Sequence, residues 1–420
     1  MNNPPRDKYS RYVLTMLLAI NLLNYIDRQV LYAVFPLVKE DFQLSDTALG
    51  ILGSAFMISY MISAPLFGWL GDRMRRARIA AVGLSLWSLA TISAGLSPDY
   101  SRLLLARSWV GIGEASFSTA SPGLLADYFS KHLRGRILAV FYLATPVGSA
   151  LGYIFGGFLG QHFGWKAAFL IVGIPGLLLA IPAWKIHEPP RGGFKAPPQE
   201  KKAGFREYFL LIKNRSFIFN TLAMAAMTFA LGGLAQWMPT YFYRVHQTDL
   251  ATANMLFGTI IVVAGITGTL TGGWLGDKQE RRLGTKGYLL ISGIGFLLGV
   301  PAAFSAIISD SLTFTLAAMF VAAFLLFLNT GPLNTVIVNV TDRGVRSMAF
   351  AVNIFFIHAL GDAFSPTLIG FFSDIWGIRI ALMTTPLALI VASLFCCLCA
   401  RHVDADELLA EGKEDGMKRS

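Results

Sequence analysis

Charge is scarce in this chain. Only 14% of its 420 residues are Asp, Glu, Lys or Arg, against about a quarter in an ordinary soluble domain. That shortage excludes a conventional soluble surface. Cysteine is scarcer still: Cys396, Cys397 and Cys399 crowd near the end of the last apolar block. Their number and spacing exclude a disulfide framework and a zinc site, so they read as small apolar residues of a lipid-facing helix. No Gly-x-x-x-x-Gly-Lys-Ser/Thr loop occurs, which argues against ATP as the direct energy source. No Ser-His-Asp, His-Glu-x-x-His or paired-Cys arrangement occurs either. An enzyme is therefore not expected, nor is a cofactor or a metal. A cleavable signal peptide is not expected either, because the first apolar block, Tyr12–Val38, is too long and carries charge.

What the chain has is apolar sequence, 54% of the total, gathered in twelve blocks of about twenty residues. That pattern predicts an all-α membrane protein with twelve transmembrane helices. The pentapeptide Gly-Trp-Leu-Gly-Asp occurs twice, at Gly68–Asp72 and Gly273–Asp277, each time after an apolar block and before basic residues. A looser echo links Arg134-Gly135-Arg136 to Arg343-Gly344-Val345-Arg346 at nearly the same offset. Internal symmetry of half the chain predicts two pseudo-symmetric six-helix bundles. The expected division is 1–190 and 216–400 for the bundles, 191–215 for a Pro-, Gly- and Lys-rich cytoplasmic linker, and 401–420 for a polar, partly ordered cytoplasmic tail.

The net charge of +10 does not point to nucleic acid, because the charges sit in short loops between the blocks. Of the 35 Lys and Arg residues, 28 fall on the side of the termini. Positive loops stay inside, so both termini are expected in the cytoplasm of a multi-pass inner (plasma) membrane protein, functional as a monomer. Pro146, Pro175, Pro239, Pro332, Pro366 and Pro386 are expected kinks. Gly148, Gly152, Gly156 and Gly160 recur every four residues, a ridge for close helix packing. The third, sixth, ninth and twelfth blocks carry no ionisable residue in their middles and are expected to face lipid.

A charge inside hydrocarbon costs roughly 2.5 kcal/mol or more, so each one needs a reason. The first span carries Asn24, Tyr25, Asp27 and Arg28. Asp27 lies near the bilayer centre, since it is well separated from both Arg11 and Lys39 at about 1.5 Å per residue. Neighbours on a helix point about 100° apart, so Asp27 and Arg28 face different surroundings. Asp27 is able to neutralise; an arginine stays charged. The fourth span carries Arg107 and Glu114 on one face, continued by Gly111, Ser118 and Ser121. These groups form either a transport and proton pathway or an ion-pair network that only locks helices. The eleventh span stacks His358 over Asp362, either a second titratable site or a polar helix contact.

At the loops, Asp72 is placed to accept hydrogen bonds at a neighbouring helix N-terminus. Arg76 is placed to pair with Asp127, and Arg73 and Asp277 belong to the same two loops. Such contacts would hold one conformation closed, or serve topology alone.

The stretch Gly68–Arg76 resembles the loop motif of the major facilitator superfamily, and Arg107–Gly113 its fourth-span motif. Arg75 stands where that loop usually has Gly. Within the superfamily, Asn24-Tyr25-Ile26-Asp27-Arg28, Gly111–Pro122 and Val140–Tyr153 resemble the spinster family. That resemblance implies a proton-coupled secondary transporter of an amphiphilic anionic lipid, a lysophospholipid or sphingosine-1-phosphate-like molecule, moved by rocker-switch alternating access. It places Asp27 and Glu114 in proton coupling, and Arg28, Asn24, Tyr25, Arg107 and Ser118 around the substrate. Asp72, Arg73, Arg76, Asp127 and Asp277 then belong to gating. The organic-anion/proton symporters, which import sugar acids, share the Asn-Tyr-x-Asp-Arg start and a fourth-span Glu, and are the alternative.

Overall fold

The computed structural model describes residues 6–71, 73–129, 131–189, 211, 213–342 and 345–418, without the side chains of 6, 7, 131, 132, 347 and 411–418. Asp72, Arg343, Gly344 and most of the 191–215 linker lie outside the described residues.

Every described regular element is helical. The first span is Arg6–Ala33, extended by Phe35–Phe42; the second is Asp46–Gly71, the third Arg76–Gly95 and the fourth Tyr100–Tyr128. Lys131–Tyr142 and Ala144–Trp184 contain the fifth and sixth, broken at Gly164, whose φ of 82° is non-helical. The seventh to ninth are Arg215–Val245, Leu250–Leu283 and Lys286–Ile308. The tenth is Leu312–Phe327 with Thr330–Val340. The eleventh is Arg346–Ile357, a π-helical turn His358–Asp362 and Ser365–Trp376. The twelfth is Ile378–Leu382 with Thr384–Ala400.

By length and composition, nine described helices qualify as spans. The stretch Leu133–Trp184 counts once there but holds two spans. The first and fourth fall short because they carry the polar stripes described below. Together these make twelve.

Four of the six prolines open helical segments. Pro146, Pro332, Pro366 and Pro386 each lie in the first turn of a restarted helix. There the missing N–H has no intrahelical acceptor to lose, so proline is tolerated. Pro175 and Pro239 sit inside helices.

The chain forms two compact units. One is Met1–Pro197 with Met238–Thr259, the other Pro198–Trp237 with Ile260–Ser420. In the first, the fifth-span glycine ridge packs on the first span. A Cβ on Gly148 would stand 2.8 Å from the Leu22 carbonyl oxygen, and one on Gly152 would stand 2.7 Å from that of Ile26. Only the absent side chain permits that approach. It seats the polar segment of the first span deep in the unit.

In the second unit the tail differs from the expectation. Val403–Lys418 is a helix. Asp406 accepts hydrogen bonds from Ser216 N and Oγ (2.9 and 2.6 Å), and Glu407 accepts one from Thr285 Oγ1 at 2.8 Å. Lys286 also pairs with Asp404. Asp406 thus satisfies an N–H at the start of the seventh span that has no partner within its own helix, and Glu407 and Asp404 hold side chains at the start of the ninth. Sequence polarity alone did not reveal that use.

Candidate functional site

The first and fourth spans bring their charges together inside the first unit. Arg28 donates two hydrogen bonds to Glu114 Oε2, from Nη2 at 2.8 Å and Nε at 3.2 Å. Glu114 is fully buried, whereas Arg28 keeps 16% side-chain exposure. The exposed edge of this pair therefore belongs to the cation. Aromatic rings line it: the Arg28 guanidinium lies 5.0 Å from the Tyr25 ring centre, 4.9 Å from Phe56 and 5.5 Å from Tyr60. Rings of this kind attract a cation without neutralising it.

Asp27 points elsewhere, as the 100° offset requires. Its Oδ2 accepts a hydrogen bond from Thr91 Oγ1 of the third span at 2.5 Å. Its Oδ1 has no hydrogen-bond partner among the described residues. Arg107 is completely buried, and none of its three guanidinium nitrogens has an acceptor among the described residues. Its guanidinium lies 5.1 Å from the centre of the Phe56 ring, which Arg28 also approaches. Asn24 sits beside Glu114, though its amide nitrogen makes no well-formed hydrogen bond. Ser118 returns its hydroxyl to the Glu114 carbonyl at 3.0 Å.

The geometry pairs Arg28 with Glu114 and Asp27 with Thr91. Phe56, Tyr60 and Thr91 escaped the sequence reading because, as isolated residues in apolar helices, they carry no signal. The third span, expected to face lipid, supplies Thr91 from a buried face.

In the second unit His358 Nδ1 lies 2.9 Å from Asp362 Oδ1 within the π turn. A Cβ at Gly232 of the seventh span would come within 2.5 Å of the Asp362 Cβ. The pair is thus held against a helix at the place where the eleventh span's hydrogen-bond register slips. A π turn of this sort frequently marks a functional site.

At the terminus side, Arg76 Nη1 donates to Asp127 Oδ2 at 2.9 Å. Arg73 stacks over Trp69 at 4.0 Å, and Lys278 stacks over Trp274 at 5.3 Å, so the two pentapeptide copies repeat one contact. Asp277 accepts from Tyr288 Oη at 2.9 Å. Asp72 falls outside the described residues. The carboxylate seen at the third span's N-terminus is Glu188, which accepts from Ala77 N at 2.7 Å.

On the opposite side lies a network that the sequence did not reveal. Asp46, 4% exposed in its side chain, accepts from Arg244 Nη1 at 2.7 and 2.9 Å and from Lys39 Nζ at 2.5 Å. Nearby, Asn254 donates to the Ala33 carbonyl at 3.0 Å, and Ala251 N to Gln161 Oε1 at 2.7 Å. Residues far apart in sequence, such as Asp46 and Arg244, give no pattern to read.

The family model of the Major Facilitator Superfamily matches residues 17–366. Protein spinster homolog 1 of Xenopus tropicalis is 37% identical over 389 residues, covering 87% of this chain and 73% of that protein. The sphingosine-1-phosphate transporter SPNS2 of Mus musculus is 35% identical over 431 residues, covering 93% of this chain and 77% of that protein. Among solved structures, a bacterial homolog of the human lysosomal transporter spinster, in an inward-facing and unoccupied conformation, is 25% identical. It matches with a TM-score of 0.86, over 96% of this chain and 99% of that one. The chain therefore belongs to the Major Facilitator Superfamily and, within it, to the spinster family of transporters.

Proposed function

We propose that this transporter couples proton movement to the passage of an amphiphilic anionic lipid, a lysophospholipid or a sphingosine-1-phosphate-like molecule, by alternating access. The observation that carries the reading is the Arg28–Glu114 pair: a fully buried carboxylate holding a cation that keeps an exposed edge. An incoming phosphate or carboxylate competes with Glu114 for that edge. Guanidinium takes either group in a bidentate way. Protonation of Glu114 weakens its hold and favours the cargo; loss of the proton favours release. Asp27 is the second proton carrier, held apart from Arg28 by its own partner. Arg107 supplies further positive potential for the head group.

Arg76–Asp127 on one side and Asp46 with Arg244 and Lys39 on the other are contacts that one conformation makes and another must break. The excess of Lys and Arg in the terminus-side loops supports both termini lying in the cytoplasm of a plasma or inner membrane. The similarity to SPNS2 supports the lipid as cargo.

The test is mass spectrometry of lipids that co-purify with the wild-type protein and with Arg28→Ala. An anionic lysolipid present in the first and lost in the second is expected. A wild-type protein stabilised by sugar acids, and by no lysolipid, would move the assignment to the organic-anion symporters.

A further inference from the structure

Many hydroxyls inside the spans of this protein follow one habit. Ser85, Ser108, Ser118, Thr119 and Ser121 each donate to a carbonyl four residues back in their own helix. That is the ordinary way for a helix to satisfy such a group. Thr91 breaks the habit. It is fully buried, and its Oγ1 crosses to another helix to donate to the carboxylate Oδ2 of Asp27 at 2.5 Å, whereas Ser116, Thr269 and Ser393 cross to backbone carbonyls. Ser216, Thr285 and Tyr288 also donate to carboxylates, but they stand at the terminus-side ends of helices.

The packing that delivers Thr91 is specific. A Cβ on Gly113 would stand 2.7 Å from the Trp87 backbone nitrogen, and one on Gly83 would stand 2.7 Å from the Gly113 carbonyl oxygen. The third and fourth spans therefore touch backbone to backbone. One helical turn beyond Trp87, the third span reaches the first. The charged groups that face Asp27 are Arg28 on its own helix and Arg107 and Glu114 on the fourth span. From the third span it meets a neutral hydroxyl.

We infer that Thr91 is a positioning residue for Asp27, fixing one carboxylate oxygen and setting the pH at which that carboxylate exchanges its proton. The inference rests on the proton-coupled reading above. With Oδ2 tied to Thr91, only Oδ1 is open to receive a proton. A hydroxyl donor favours the ionised carboxylate over the neutral acid, so its presence holds protonation off until lower pH. Thr91→Val keeps the shape and removes the donor; Thr91→Ser keeps the donor.

The experiment is an infrared pH titration of the protein in nanodiscs, without cargo, following the protonated-carboxyl stretch that Asp27→Asn abolishes. Thr91→Val is expected to move the midpoint of that band upward by about one pH unit, the scale of one lost charge-assisted hydrogen bond. Thr91→Ser is expected to titrate with the wild type. Thr91→Ala gives the same reading should valine not be accommodated. A wild-type midpoint in both Thr91→Val and Thr91→Ala would overturn the inference while leaving proton coupling intact. A band that no pH change alters, in the wild type itself, would overturn Asp27 as a proton carrier and the role of Thr91 with it.

Discussion

Glu114→Gln is the substitution that separates cargo binding from proton binding most cleanly. Glutamine keeps the shape of the side chain and one carbonyl oxygen facing Arg28, but it cannot ionise. Glutamine still accepts a hydrogen bond from the Arg28 cation, so what is lost is the attraction of the opposite charge, for which about 1 kcal/mol or somewhat more is a modest allowance at a mostly buried pair. The hold on Arg28 therefore weakens by roughly 1–1.5 kcal/mol, close to a tenfold gain for an anion competing for the same guanidinium. Arg28 is mostly buried and Glu114 wholly so, which limits solvent screening of the effect. The assay is equilibrium binding of lysophosphatidylglycerol to the protein in nanodiscs, with a neutral monoacylglycerol as control. In the wild type, affinity for the anion should rise as pH falls, because protonation neutralises the competitor. In Glu114→Gln it should already be about tenfold tighter at neutral pH and vary less with acidification. Weaker binding in the variant, or a pH dependence equal to the wild type's, would show that Glu114 does not compete with cargo for Arg28.

Three further outcomes are expected. Gly152→Val should lower the melting temperature by several degrees, since its Cβ would stand 2.7 Å from the Ile26 carbonyl oxygen and overpacking costs about 1–3 kcal/mol. Gly68→Ala, where nothing lies within 4 Å, is the matched control and should leave melting nearly unchanged. Asp406→Ala removes the acceptor shared by Ser216 N and Oγ and should expose the tail helix to limited proteolysis near Arg401; equal cleavage rates would deny its docking role. Asp46→Asn leaves Arg244 and Lys39 without their shared carboxylate and should raise labelling of a cysteine introduced at Asn254 by a membrane-impermeant maleimide; unchanged labelling would mark the network as structural only.

Much of the fold was legible because the bilayer imposes it. Apolar blocks of spanning length, the positive loops and the pentapeptide repeat each report a constraint local to a few residues. The ionic residues of the first and fourth spans were legible for the same reason, since charge in an apolar block stands out. Pairing was not. Whether Arg28 meets Asp27 or Glu114 depends on helix rotation and on the close approaches at Gly148, Gly152 and Gly113, which no single helix encodes. Thr91 and Phe56 were invisible because a lone threonine or phenylalanine in a membrane helix is ordinary. The Asp46–Arg244 contact joins residues nearly two hundred positions apart, and nothing in either neighbourhood announces the other. The tail helix was missed for a different reason. Its acids looked solvated, and their use became visible only once the ends of the seventh and ninth spans were in place.

The most direct measurement is proton movement during lipid transport in proteoliposomes, with a pH-sensitive dye inside and lysophosphatidylglycerol added outside. Wild-type protein should move protons with the lipid, and Asp27→Asn together with Glu114→Gln should abolish that proton signal while the protein stays folded. Lipid flux that continues in the wild type with no proton signal, or a signal that survives both substitutions, would contradict a mechanism centred on these two carboxylates.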